Sequence, residues 1–369
     1  MTVVLFVIVL AVLILAHEVG HFLAAKSIGV RVDEFGIGFP PRLYSWRPEG
    51  SETLYSINWI PFGGFVKIFK EDEDISELSP EEKLRTLDVK PWYAKVWVLI
   101  AGVLFNVLLA WGLISIGITL GFPMSVTEQT KGVVGEPSVV LVHIEAGSPA
   151  QTAGFLPGDA LVSLKGEKDT VMSPLSIEKV QSFIAQHGGE TITVAYTREK
   201  KLETTTVIPN IQTTGQETRG VMGVVLDYIA LVKLPVWSAV IEGAKTTYYA
   251  IQNIAVGLWN FLYQTVTGAA DFSQVVGPVG IVGLAGDAAR MGLVTLLSFA
   301  AMLSLNLAVI NMVPFPALDG GRILFVLIET IKRSPIKPVV ANTFNFVGFG
   351  LLLLLMVIVT IHDVVKLFG

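Results

Sequence analysis

Residues 3–25 read VVLFVIVLAVLILAHEVGHFLAA, an apolar run that carries His17, Glu18 and His21 inside it. A helix needs about 20 apolar residues to cross a bilayer, so the run is long enough to span. Ionisable groups in such a setting are costly, roughly 2.5–3.5 kcal/mol for each Asp, Lys or Arg on insertion scales. Three ionisable side chains within five positions therefore need a compensating partner. Residues four apart share a helix face, so His17 and His21 can offer two imidazoles to one metal ion. Glu18, beside them, can reach a water at that ion. This is the logic of H-E-x-x-H: two ligands and a general base. A polar cluster bonded to neighbouring helices is the competing reading. The start, MTVV, has no basic n-region, so the run is expected to remain as a span and not to be removed as a signal peptide.

The rest of the composition agrees with a membrane setting. Of the 369 residues, 52% are hydrophobic and 15% charged, against about 25% charged in ordinary soluble chains. Mean hydropathy is +0.64. The net charge of −5 argues against a nucleic-acid partner. The chain has no cysteine, so any metal must be held by His, Asp or Glu. Three further apolar runs are long enough to span, at about 96–120, 293–313 and 344–361. Trp92, Tyr93 and Trp97 at the entry to the first of these suit an aromatic belt. The expected spans are 1–28, 92–121, 291–318 and 343–363.

Lys and Arg set the orientation. Ten lie between Lys26 and Lys95 and four between Arg322 and Lys337, so both loops are expected in the cytoplasm and both termini outside. The segment between the second and third spans is then extracytoplasmic. Its residues 125–214 alternate apolar and polar positions (VVLVHI, ALVSLKG, TITVAY, TTTVIP) as strands do. The run GSPAQTAGFLPGDALVSLKGE, residues 147–167, resembles a PDZ domain. Residues 29–70 hold DEFGIGFPPRLYSW and TLYSINWIPFGGFVKI, which read as β-hairpins. Their many apolar residues lead us to expect a loop re-entering the membrane edge, with a small cytoplasmic β-subdomain as the open alternative. Residues 71–91 are expected to form a polar cytoplasmic linker, and 319–342 a cytoplasmic loop.

A catalytic zinc takes three protein ligands and leaves one position open. By topology His143, His187, His362, Asp271, Asp287 and Asp363 all fall outside, and the three histidines are expected to be ordinary surface residues. Asp319 differs. It lies in NMVPFPALDGGRI at the cytoplasmic end of the third span, where Pro314 and Pro316 break the helix. His17 lies about 24 Å along its own helix towards that same side. The two depths agree only if residues 236–264 do not also span. The post-PDZ segment 232–290 is therefore expected to carry an interfacial amphipathic helix.

HExxH in the first span, a PDZ-like insert after the second and N-x-x-P-x-P-x-L-D-G in the third together resemble the site-2 protease family of intramembrane zinc metalloproteases. The resemblance is to its bacterial regulator-of-sigma-E protease branch with a single PDZ domain. It extends to FGIGF, PFGGFVKI and VGPVGI at 276–281. It departs at AGVLFN, residues 101–106, where Val103 replaces the family's usual proline and Asn106 is kept. The resemblance implies one Zn2+ per chain held by His17, His21 and Asp319, with Glu18 as catalytic base. It also marks Asn306 and Asn311 as substrate-binding candidates, Asn306 the better. The substrates implied are single-span membrane proteins, such as anti-sigma factors or remnant signal peptides, cleaved within the bacterial inner membrane near its cytoplasmic face. The unwound substrate is expected to add to a strand edge around Gly36 and Gly38, and the PDZ domain to gate or to bind a peptide C-terminus. The alternative is a catalytically inactive membrane PDZ scaffold. The expected fold is a polytopic α-helical membrane protein with four transmembrane helices, a membrane-re-entrant β-loop and an inserted extracytoplasmic PDZ domain (α+β).

Overall fold

The computed structural model describes residues 2–70, 78–127, 129–145, 147–167, 169–198, 201–214, 217–268, 276–334, 336 and 338–368. Asp271 and the first part of the expected linker, 71–77, lie outside these. The chain divides into two compact units, one of residues 1–117 with 240–369 and one of residues 118–239.

In the first unit α1 (Thr2–Ser27) is apolar along its length. It stops in a Schellman turn: Gly29 adopts φ +72°, its N–H donates to Lys26 O, and Val30 N–H donates to Ala25 O. Two long strands follow, β1 (Val32–Trp46) and β2 (Leu54–Ile68). Both bend near their middles, so the pair makes four antiparallel segments in the order 42–46, 55–58, 34–37, 64–68. The bend in β1 is at Gly38, whose φ of +77° suits glycine and where a Cβ would lie 2.5 Å from Ile60 O. Asn58, buried, donates to Gly38 O and pins the bend. Within the expected linker, a short turn of helix α2 (Pro80–Lys83) is closed by a capping box of Ser79 and Glu82.

Helix α3 (Trp92–Leu120) runs unbroken through AGVLFN, with Val103 buried inside it. It lies against α1 where Gly20 leaves no room for a side chain: a Cβ there would meet Ala101 O at 2.3 Å. Small residues at helix crossings are the usual means of close packing where no hydrophobic drive between helices exists.

The second unit is built on one sheet. Its strands are β3 (Phe122–Ser125), β4 (Val133–Ile144), β5 (Ala160–Lys165), β6 (Thr170–Met172), β7 (Ile192–Arg198), β8 (Lys201–Val207) and, later in the chain, β11 (Val224–Val232). The order is β3-β11-β4-β5-β7-β8, with β6 paired to β5. A short helix α4 (Pro149–Thr152) starts at Ser148, whose side chain accepts from Gln151 N–H. Helix α5 (Ile177–Gln186) buries Val180, Phe183 and Ile184 against Val139, Leu141, Leu164 and Val194 of the sheet. A separate hairpin joins β9 (Asn210–Thr214) to β10 (Glu217–Val221). The unit outruns the expected 125–214 because β11 pairs with both β3 and β4 and so belongs to the same core.

Helix α6 (Val236–Thr267) covers the stretch expected as interfacial. Within the first unit, Trp111 Nε1 donates to Val240 O, and a Cβ on Gly243 would touch Ser115 Oγ at 2.3 Å. Among the described residues, four helices are long and apolar enough to cross a membrane: α1, α3, α8 (Leu293–Asn311) and residues 339–365 of α10 (Pro338–Phe368). α6 is not among them. α7 (Pro278–Met291) packs against α1, α8 and α10. Its N-terminus is capped by buried Asp363 of α10, whose Oδ1 accepts from Gly277 N–H and Oδ2 from Gly280 N–H. The VGPVGI motif is thus a helix start read by a carboxylate, the sign that a helix N-terminus favours.

The third apolar helix ends earlier than expected, at Asn311. A tight turn through Pro314 and Pro316 leads directly into α9 (Asp319–Lys332), an amphipathic helix where a cytoplasmic loop was expected. Its LFVLI run is uniformly apolar and too short to show a helical period beside the Gly-Gly pair. Those glycines are needed for contact: a Cβ on Gly320 would sit 2.3 Å from Val313 O, and one on Gly321 would sit 2.2 Å from Phe315 O.

Candidate active site

Four elements of the first unit meet at the HEVGH turn: α1, α9, α3 and β2. α1 presents His17 and His21 on one face, and their Nε2 atoms lie 3.1 Å apart. Asp319, first residue of α9, brings Oδ2 to 3.1 Å from His17 Nε2 and 3.4 Å from His21 Nε2. Among the described residues, these three form the group found able to hold a metal ion. The spacing suits one. Donors about 2.0–2.2 Å from a tetrahedral zinc lie roughly 3.3–3.5 Å from one another.

The hydrogen bonds point the same way. His21 Nδ1 lies 2.8 Å from Val98 O. A carbonyl can only accept, so Nδ1 carries the proton and Nε2 turns a lone pair towards Asp319. Asp319 Oδ2 is buried and has no hydrogen-bond partner. Lone pairs that converge in a buried place repel one another unless a cation sits among them.

α3 forms the back wall through three positions four apart. Val98 supplies the carbonyl to His21, and Asn106 brings its side-chain amide to 3.4 Å from His17 Nδ1. Gly102, between them, leaves space for the rings: a Cβ there would lie 2.4 Å from His21 Nε2. The front wall is the 64–68 segment of β2, where a Cβ on Gly64 would come within 3.0 Å of Glu18 Cγ. A cavity of about 320 Å³ opens here, lined by Glu18, the three clustered residues, Gly64, Phe65, Asn311 and Arg322 among others. The arrangement offers two imidazoles, two carboxylates and one guanidinium around a space that holds more than one peptide unit.

Some expected positions fall elsewhere. Asn306 does not line the cavity, and its amide donates to Met302 O of its own helix. Asn311, one turn and a half further, does line it. Gly36 is paired on both sides, to Phe65 and to Ser56, so its backbone is not an edge. Gly38 sits in the bend. The edge segment next to Glu18 is 64–68. His187 is buried, not a surface residue: Nδ1 donates to Phe183 O and Nε2 lies 3.0 Å from Asp169. His143 is exposed. Asp287 lies 3.6 Å from Arg290 and Asp363 caps α7. The side chain of His362 lies outside the described residues.

Sequence reading did not single out Gly64, Gly102 or Arg322. Both glycines lie inside quoted stretches, Gly64 in PFGGFVKI and Gly102 in AGVLFN, but neither was given a role there. Arg322 follows Asp319 by three, which places it on the same helix face.

The chain matches the model of Peptidase family M50 over residues 5–355. It is similar to zinc metalloprotease RasP of Geobacillus kaustophilus, 29% identical over 98% of this chain and 97% of that relative. It is 34% identical to a putative zinc metalloprotease of Clostridium perfringens, over 96% of this chain and 95% of the relative. It is 28% identical to regulator of sigma-W protease RasP of Bacillus subtilis, over 100% of this chain and 99% of the relative. Family match, whole-length relatives and the HEVGH–Asp319 cluster lead to one conclusion: the chain belongs to peptidase family M50, the site-2 protease family that its motifs resemble.

Proposed function

We propose that this multi-pass membrane protein is a zinc metalloendopeptidase that cleaves single-span membrane proteins within the bilayer, as in regulated proteolysis of anti-sigma factors. The observation that carries the reading is the convergence of His17, His21 and Asp319 beside Glu18 in one half-buried cavity. The zinc ion, when bound, supplies a Lewis acid that acidifies water and polarises a carbonyl. His17 and His21 would hold it through Nε2, and Asp319 through Oδ2. Glu18 takes the proton of the attacking water and hands it to the departing amine, so the scissile C–N bond breaks without leaving charge on nitrogen. Asn311 and Arg322 line the same space and are suited to hold the substrate carbonyl.

A transmembrane helix hides its carbonyls and must unwind to be cut. The edge segment 64–68 supports capture of the unwound stretch by strand addition. The hairpin's exposed Phe39, Leu43, Tyr44, Trp59 and Ile60 support its lying in the membrane edge. In the second unit, helix α5 and its sheet order support a PDZ-type domain, and the Lys and Arg distribution supports its lying on the extracytoplasmic side. A cavity of about 710 Å³ between α5 and residues 219–226, with Arg219 at its rim, suits a peptide C-terminus. α6, whose apolar residues share its length with Glu242, Lys245 and Gln252, suits the membrane surface. The Lys and Arg distribution supports a site near the cytoplasmic face of the membrane.

The test is metal content. Full-length protein purified in detergent is expected to hold one zinc per chain, and Ala at His17, His21 or Asp319 is expected to empty it. Equal zinc in all four proteins would reject the site.

A further inference from the structure

The side chain of Asn106 is buried on α3, next to the metal-binding cluster but not part of it. Both histidines need the same protonation pattern to bind a cation through Nε2, with the ring proton on Nδ1. For His21 the Val98 carbonyl enforces that pattern at 2.8 Å. For His17 the facing group is the Asn106 amide at 3.4 Å. With its nitrogen towards the ring, that amide sets N–H against N–H, and its oxygen is left buried without a partner. Exchanging the two amide atoms is a half-turn that keeps the shape of the group. One amide atom lacks a partner in either orientation, but only the exchanged one gives His17 Nδ1–H an acceptor.

We propose that Asn106 is the positioning residue for His17: its side-chain oxygen accepts the Nδ1 proton and so holds Nε2 on the metal side. The α3 backbone at this point is fixed. Asn106 O accepts from Ser304 Oγ of α8 at 2.8 Å, and Ser304 is fully buried. Val98 and Asn106 thus act as a matched pair on one face of α3, each orienting one imidazole, with Gly102 between them to let both rings approach. Acceptors behind a ligating histidine commonly set its tautomer and strengthen it as a ligand. The inference rests on the metal site proposed above.

The experiment uses the full chain in detergent, as wild type, Asn106→Leu, Asn106→Asp and His17→Ala. Two properties are read: zinc retained against a competing chelator, and the 15N–1H signal of the His17 ring in zinc-loaded, histidine-labelled protein. Asn106→Leu removes the acceptor at similar size and is expected to lower zinc affinity about 10–100-fold and to shift the Nδ1 proton upfield. Asn106→Asp keeps an acceptor and is expected to hold the hydrogen-bonded proton position. Equal loss in both variants, or no loss and no shift in Asn106→Leu, overturns the assignment. If Asn106→Leu does not accumulate, the Asn106→Asp spectrum decides: a hydrogen-bonded Nδ1 proton supports the assignment and an unbonded one overturns it. Failure of the metal site itself looks different, as wild type without zinc or His17→Ala with it.

Discussion

Single residues in this site are constrained by what stands opposite them. Gly102 is the clearest case, because its missing Cβ is the space that His21 occupies. Gly102→Ala must push the ring or the helix aside, and misplacement of a reacting group by about 1 Å costs on the order of 10²-fold in rate. Cleavage by Gly102→Ala is expected to fall by about that factor, with the zinc content of the purified protein falling alongside; unchanged turnover would mean that α3 and α1 are not as close as described. Asn306 and Asn311 make a second contrast. Asn306→Ala removes a side chain bonded within its own helix and is expected to leave cleavage of a model substrate near wild type. Asn311→Ala removes a polar group from the cavity and is expected to reduce it. Steady-state rates on one substrate separate the two, and the reverse order would restore Asn306 as the contact. HEVGH and Asp319 were legible because their chemistry is carried by residue type and spacing. Gly102, Gly64 and Arg322 were not, because each matters only through a partner from another element, and spacing says nothing about that partner.

At the scale of elements, the hairpin and the third apolar helix depart most from the sequence reading. Alternation in 29–70 predicted strands, and strands are present. The mid-strand bends, which turn two strands into four segments, depend on Gly38 and on the buried Asn58 that ties it. Those bends bury Gly36 and leave 64–68 as the edge beside Glu18. Proline cannot donate to a strand partner, so Phe65→Pro and Val66→Pro between them break the ladder on one side or the capture edge on the other. At least one is expected to abolish cleavage with zinc retained. Full activity in both would remove the edge from the account. The start of α7 offers a stability test. Asp363 accepts two N–H groups at a helix N-terminus, a partly buried arrangement worth up to about 2 kcal/mol. Asp363→Ala is expected to lower the thermal midpoint in detergent by several degrees, on the order of ΔΔG over the unfolding entropy. An unchanged midpoint would show that the cap contributes nothing. α9 escaped the sequence reading because Gly320 and Gly321 read as a loop. Their purpose is close approach to Val313 and Phe315 carbonyls, which helix propensity does not register.

Across the whole molecule, the chain forms two compact units. The helical unit holds the cluster of His17, His21 and Asp319, and residues 118–239 form a separate β-rich unit with its own core. The four apolar helices were readable from hydropathy alone, since bilayer thickness sets their length. The extent of the β-rich unit was not, because β11 lies beyond a gap in the alternating pattern and joins the sheet through long-range pairing. The account's central claim is that Glu18 does the proton transfer beside a metal held by His17, His21 and Asp319. Its most direct test is Glu18→Gln, assayed for zinc and for cleavage of a tagged single-span substrate in the same preparation. The account predicts wild-type zinc content with cleavage lowered by about 10²–10⁴-fold, the usual worth of general base catalysis. Cleavage by Glu18→Gln at the wild-type rate would contradict it.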